Sequence, residues 1–198
     1  MTQQVQAHMT LSLEGFGTGV NQTMQRPFGD GDGESLHRWM FEDAENNKAE
    51  MAAITEYGAF IMGRNMFGVG SGPIEPSWKG WWGPNPPYHA PVFVLTHYPR
   101  ESITMEGGTT FHFVTEGADV ALERAREAAG SRNVVIAGGV TTLRNYLNAG
   151  AVDRLFLQIA PMLLHRGERL WDGLMAQLEP EAARHTRLAT HITYKVVR

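Results

Sequence analysis

The stretch Val134-Val135-Ile136-Ala137-Gly138-Gly139-Val140-Thr141 decides the fold class of this 198-residue chain. A short apolar run rich in β-branched residues reads as a buried strand from Asn133 to Ala137. Gly138 and Gly139 close it, and Val140, Leu143, Tyr146 and Leu147 then recur at helical spacing, with Gly150 placed to end the helix. A helix start carries unpaired N–H groups and the positive end of a dipole, so it suits an anion. Glycine lets a phosphate approach the backbone with no Cβ in the way. By itself a Gly-Gly pair is more often a bare strand-to-helix turn.

Outward from this stretch the same alternation continues. Thr110 to Val114 reads as a strand, and Thr115 as the cap of a helix that runs to Gly130 with Ala121, Leu122, Ala125 and Ala129 inward. Val92 to Leu95 and Tyr57 to Met62 read as short buried strands, the second closed by Gly63. Beyond Gly150, Val152 to Ala160 is a strand, and the tail from Thr186 to Val197 forms one or two more. Strands alternating with helices over residues 57 to 160 imply an α/β fold with a largely parallel sheet. Ligands in such sheets sit beyond the carboxyl ends of the strands.

Upstream, Val5 to Glu14 alternates apolar and polar residues, a strand with two unlike faces. Its polar residues His8, Thr10, Ser12 and Glu14 either line a cleft or face solvent on an edge strand. A glycine-rich loop follows, and helix begins near Glu34 and Ser35, with Leu36, Trp39 and Met40 apolar, resuming over residues 44 to 56. Residues 69 to 91 form a long Pro- and Gly-rich loop around Trp78, Trp81 and Trp82, which suits either a lid over a substrate or a packing loop.

Composition narrows the function. The net charge of −4 supplies no basic field for a phosphate backbone, so no nucleic-acid partner is expected. No apolar run is long enough to span a membrane, and the opening Met1-Thr2-Gln3-Gln4 lacks the pattern of a secretory leader, so the cytoplasm is the expected compartment. With no cysteine, thiolate metal sites are excluded, and His185 and His191 lack an acidic cluster, so no metal is expected. A G-x-S-x-G nucleophile elbow does not occur. The length suits one domain over residues 1–198.

Two further strand ends deliver polar groups to the same edge: Phe60-Ile61-Met62-Gly63-Arg64, and Val94-Leu95-Thr96-His97. A guanidinium there can grip a phosphate through two parallel hydrogen bonds. Gly15-Phe16-Gly17-Thr18-Gly19 has dinucleotide-loop spacing, but no helical pattern follows it.

Together these segments resemble the dihydrofolate reductase-like family, in particular its RibD C-terminal branch. Met9-Thr10-Leu11-Ser12-Leu13-Glu14-Gly15-Phe16 is similar to that branch's SLDGF opening, with Glu14 where relatives carry Asp. Met62-Gly63-Arg64-Asn65-Met66-Phe67 is similar to the family's GRxT segment, with Asn65 in place of Thr. Pro91 to His97, Ile136 to Gly139, and Ala149 to Leu155 followed by Ile159 to Leu164 match further segments in the right order, over roughly residues 5 to 175. The resemblance implies a three-layer α/β/α fold around a mostly parallel mixed sheet of about eight strands. It implies NADPH as the hydride donor to a small pterin-, pyrimidine- or related C=N or C=O substrate, and a homodimer to which the strand from Leu155 to Leu164 contributes. Carried over by position, Gly63, Arg64 and Asn65 would meet the nucleotide's phosphates, with Arg64 favouring the 2′-phosphate. Thr96 and His97 would lie at the adenosine end, and Gly138, Gly139, Val140 and Thr141 would cradle the pyrophosphate. Ser12, Gly15, Trp39 and Trp81 would meet the substrate, and the proton would come from Glu14, Glu34 or water. A non-catalytic NADPH-binding module is the alternative on the same fold.

Overall fold

The computed structural model describes residues 2–197; Met1 and Arg198, the ends of the domain expected over 1–198, lie outside the described residues. The strands β1 (Val5–Leu11), β3 (Ala59–Gly63), β4 (Pro91–Leu95), β6 (Thr110–Val114), β7 (Val134–Gly138) and β8 (Arg154–Ile159) run parallel to one another. Antiparallel strands β5 (Ile103–Thr104), β10 (Gln177–His185) and β11 (Thr190–Val197) complete a nine-stranded sheet in the order β10-β11-β8-β1-β7-β3-β4-β6-β5. A separate ribbon pairs β2 (Phe16–Thr18) with β9 (Glu168–Arg169).

One face carries α4 (Ala118–Ala129) and α5 (Val140–Asn148). Ala121, Ala125 and Ala129 recur every fourth residue and are buried, so α4 lies close against the sheet. Gly117 precedes α4 as its cap; Thr115, expected there, donates its N–H and hydroxyl to Glu116 Oε2. Val140, Leu143, Tyr146 and Leu147 are buried on α5, and the Tyr146 hydroxyl donates to Ala118 O at 2.6 Å, tying the two helices together.

The other face is covered by short turns and by loop. It holds α1 (Arg38–Phe41), α2 (Lys48–Thr55) and α3 (Arg64–Phe67), while the tryptophan loop spreads over β3, β4 and β6. Trp82 stacks on Phe111 at 5.8 Å and meets Tyr88 edge-on at 5.1 Å, and Trp78 donates to Phe67 O at 2.8 Å. Arg100 sits over Phe67 and Phe113 and donates to Pro76 O and Trp78 O. Buried aromatic area of this kind, at ~25 cal/mol per Å², gives the tryptophan loop its cohesion with the sheet.

Three expectations change here. The polar face of β1 neither lines a cleft nor faces solvent: β1 lies mid-sheet, and Gln6, His8 and Thr10 are buried under Tyr57, Phe156 and Trp39. β1 ends at Leu11 rather than Glu14, because the Ser12 hydroxyl accepts the N–H groups of Glu14 and Phe16 and bends the chain. The tail hairpin begins at Gln177, well before Thr186; β10 is an exposed edge strand with a bulge between Pro180 and Ala182, where proline is tolerated. In β8, Leu155 and Leu157 are sealed inside the sheet, so of the segment expected at a dimer contact it is Pro161 and Leu163, the latter 52% exposed, that reach the surface.

Candidate functional site

The register levels the ends of the central strands: Met62 lies opposite Gly138, and Gly63 opposite Leu95. Gly138 has φ +134°, a conformation L side chains avoid, and its peptide to Gly139 is cis. Gly139 caps α5, and its carbonyl accepts Leu143 N–H at 2.9 Å. The N–H groups of the first helical turn, from Val140 to Thr142, have no intrahelical acceptor and stand at the positive end of α5.

Close approach around this corner is measured by the Cβ atoms it would refuse. One on Gly63 would stand 2.4 Å from Thr142 Oγ1 and 3.6 Å from Gly139 N. One on Gly138 would meet Met66 Sδ at 3.1 Å and Met9 Cε at 3.5 Å, whereas one on Gly139 would enter open space. The corner is thus a bare-backbone cradle floored by two thioethers, with N–H donors on one wall. Bare backbone and N–H donors at a helix start are of the kind that suits an anion. Thr142, absent from the sequence reading, faces Gly63, while Thr141 is exposed and donates its hydroxyl to Glu168 Oε2 at 3.3 Å. The β2–β9 ribbon lies across the same helix start. A Cβ on Gly17 would meet Val140 Cγ2 at 2.5 Å, and Arg144 donates to Arg169 O at 2.8 Å.

Arg64 opens α3 at this edge, but its guanidinium turns into the chain. Nη1 donates to Gly68 O at 3.2 Å, to Gly70 O and to Asn65 Oδ1 at 3.3 Å, and Nη2 donates to Gly72 O at 2.5 Å. Asn65 is exposed beside it. Thr96 follows β4 and accepts Tyr98 N–H on its hydroxyl at 3.1 Å, and His97 is exposed next to it.

The residues expected at the substrate fall into a different pattern. Glu14 Oε2 accepts Leu164 N–H at 2.8 Å and the Ser12 hydroxyl at 3.0 Å, and Oε1 accepts His165 N–H at 3.0 Å. Burial pushes the Glu14 carboxyl up, but those hydrogen bonds and the nearby His165 ring outweigh it and hold the group below the usual carboxylate range. Glu14 is therefore an ionised clasp on the 162–165 turn. Ser12 is fully buried in the same turn. Gly15, with φ +90°, lies under Trp171: a Cβ there would stand 2.1 Å from the indole Nε1. Trp171 was not legible as a neighbour because it arrives from the far end of the chain. Trp39 is a core residue, fully buried, with Nε1 donating to Thr10 Oγ1 at 3.3 Å. Trp81 packs edge-on against Trp78 at 4.5 Å, and Glu34 is exposed in the short turn 33–37.

A groove of about 500 Å³ lies at the opposite edge, among Gln4, Asp153, Arg154, Glu181 and Lys195. Its Arg154 pairs with Glu181 and its Lys195 with Glu179.

The sequence profile of the RibD C-terminal domain matches residues 3–194. The chain belongs to the RibD C-terminal domain family. Solved structures share the fold at low identity. A protein of Shewanella sp. PV-4 assigned to riboflavin biosynthesis superposes with a TM-score of 0.64 at 20% identity, over 98% of this chain and 99% of that one. A pyrimidine reductase-like protein of Corynebacterium diphtheriae gives 0.57 at 16%, over 99% and 92%. The dihydrofolate reductase of Enterococcus faecalis, solved with NADP(H), gives 0.50 at 16%, over 98% and 96%. No curated protein matched the chain. Within this RibD C-terminal domain, the mostly parallel sheet and its helices agree with the dihydrofolate reductase-like fold implied by the sequence motifs, with nine strands where about eight were expected. Among the described residues no helix is long and apolar enough to cross a membrane.

Proposed function

We propose that this chain is an NADPH-dependent reductase acting on a C=N or C=O group of a small, pyrimidine-like substrate. The observation that carries the reading is the bare-backbone cradle where Gly63, Gly138 and Gly139 meet the start of α5. A diphosphate suits that corner because unpaired N–H groups and the helix dipole converge on it. When bound, the nicotinamide supplies the hydride. The family match and the NADP(H) complex of a fold relative support the same cofactor.

In this reading the first-turn amides of α5 bind and orient the diphosphate, and Met9 and Met66 keep water from the floor beneath it. Glu14 holds the 162–165 turn in place and, being ionised, is no proton donor, which leaves Glu34 or water as the source. A homodimer belongs to the same reading, and a sedimentation run showing a monomer at micromolar concentration removes that part of it. Calorimetric titration with NADPH and with NADH is the test: micromolar binding supports the reading, and no binding of either ends it. Tight binding with no NADPH oxidation across a panel of carbonyl and imine pyrimidines would leave a binding module, a reading favoured by the burial of Ser12 and Trp39.

One prediction follows from Glu168. Its carboxylate rests on the Thr141 hydroxyl, at the helix end that an incoming diphosphate must share. Glu168→Gln removes the like charge and will tighten NADPH binding by about three- to tenfold, less at high salt. The titration repeated at low and high salt checks it, and an unchanged or weaker affinity at low salt refutes it.

A further inference from the structure

We propose that Arg64 is a positioning residue, whose guanidinium clamps the 68–72 loop through its carbonyls and does not itself ligate the 2′-phosphate. The proposal rests on the nucleotide reading above for its binding arm alone. Three carbonyls spaced two residues apart, those of Gly68, Gly70 and Gly72, converge on one guanidinium, together with Asn65 Oδ1. The Nε edge is buried against protein and meets no acceptor. An arginine has five N–H donors in a rigid fork, and here one terminal nitrogen meets three acceptors and the other meets Gly72 O.

The loop is made for this. Gly70 and Gly72 have φ of +138° and +84°, conformations that let successive carbonyls turn to one side and that other residues resist. Among the described residues, no carboxylate pairs with Arg64. The carbonyl oxygens take the place of a counter-ion, and a phosphate that took the guanidinium would leave the carbonyl of the buried Gly68 without this partner. At its other side the loop joins the tryptophan cover: a Cβ on Gly68 would stand 2.9 Å from Trp78 Nε1, which donates to Phe67 O. Arg64 therefore fastens the segment after α3 to the end of β3, beside Gly63. On the nucleotide reading, a segment fastened beside Gly63 would serve the parts that NADPH and NADH share, so loosening it would affect both alike.

The test compares the wild type with Arg64→Ala and Arg64→Lys. Lysine keeps the charge, so it still serves a phosphate, but it cannot fork to three carbonyls. Hydrogen exchange of residues 68–72, measured without nucleotide, should rise about tenfold in both variants while β7 amides stay protected. Both nucleotides should weaken by a similar factor, about tenfold, with the NADPH-to-NADH ratio within about threefold of wild type. The proposal is overturned if loop exchange stays at the wild-type level, or if Arg64→Ala abolishes the preference for NADPH while Arg64→Lys restores it. Should Arg64→Ala fail to fold, Arg64→Lys decides by the same two readouts. A wild type that binds neither nucleotide ends the functional reading, and the exchange measurement still judges the clamp.

Discussion

Gly63→Ala will weaken NADPH binding by about 100-fold, the loss of one or two charge-assisted hydrogen bonds, and will destabilise the protein by about 1–3 kcal/mol through overpacking. The backbone of Gly63, at φ −75° and ψ 156°, is one that alanine adopts freely, so conformational strain has no part in the effect. The cause is a single contact: the new methyl would stand 2.4 Å from Thr142 Oγ1. Relief by sliding α5 is closed off, because Leu143, Tyr146 and Leu147 are locked in the core and the Tyr146 hydroxyl holds Ala118 O. What gives way is Thr142: its hydroxyl must swing off its rotamer or the first turn must shift, and that turn carries the N–H groups that a diphosphate would need in the proposed reading. Thr142→Ala alone should change affinity by less than about threefold, since one peripheral hydroxyl is lost. Combined with Gly63→Ala, Thr142→Gly should recover at least about 1 kcal/mol relative to additivity, as residues in direct contact do. Nucleotide titration and urea denaturation of the four proteins check this. Normal affinity in Gly63→Ala would separate the cradle from the nucleotide and remove the basis of the functional reading.

The β7–α5 junction was legible in sequence because two local signals coincide there, a β-branched run and a helical period separated by glycines. The same holds for α4, whose alanines repeat every fourth residue. What escaped depends on contacts between distant segments. The alternation in β1 is real, but whether its polar face meets water or protein is set by Trp39 and Tyr57, about thirty and fifty residues away. Trp39 looked available to a substrate because aromatic residues recur at binding sites, yet an indole buried beneath β1 satisfies the Thr10 hydroxyl instead. Arg64 resembled a phosphate ligand by its position after a strand, and only the path of the chain through Gly68, Gly70 and Gly72 shows its carbonyl partners. Glu168 and Trp171, some 150 residues beyond Gly17 and Gly15, carry no local pattern at all. β10 was missed for a local reason: Pro180 and the charges around it suit an exposed edge and hide the period of two.

The second large effect is acid lability. Burial pushes the imidazoles of His8 and His37 down to about 4 from the ordinary 6.5, and that of His191 in the same direction. For His8 the hydrogen bonds add a second reason. The Tyr57 hydroxyl donates to Gln6 Oε1 at 2.9 Å, so the 2.6 Å contact from His8 Nε2 must be an N–H donating to that hydroxyl. The free proton site is then Nδ1, which is buried with no acceptor. His191 repeats the arrangement, with Nε2 donating to Asn47 Oδ1 at 2.7 Å and a buried, unpaired Nδ1. A group whose folded pKa lies below its unfolded value contributes stability that is complete above the unfolded value. That stability is lost as pH falls through the interval between the two. For His8 the interval runs from 6.5 down to about 4, worth ~3 kcal/mol at 1.36 kcal/mol per pH unit. Unfolding free energy from urea denaturation should therefore be level above about pH 7.5 and fall with growing slope towards about pH 4.5. His8→Phe keeps a ring stacked on Phe156, now 4.6 Å from His8, and should remove about one proton's worth of that slope. A profile that stays flat from about pH 7.5 to pH 5 would mean these rings are already charged or hydrated, contrary to a sealed polar layer beneath β1. A falling profile that His8→Phe leaves unchanged would assign the proton uptake to His37, His191 and the half-buried His112 of β6, which burial also pushes down, rather than to the layer beneath β1.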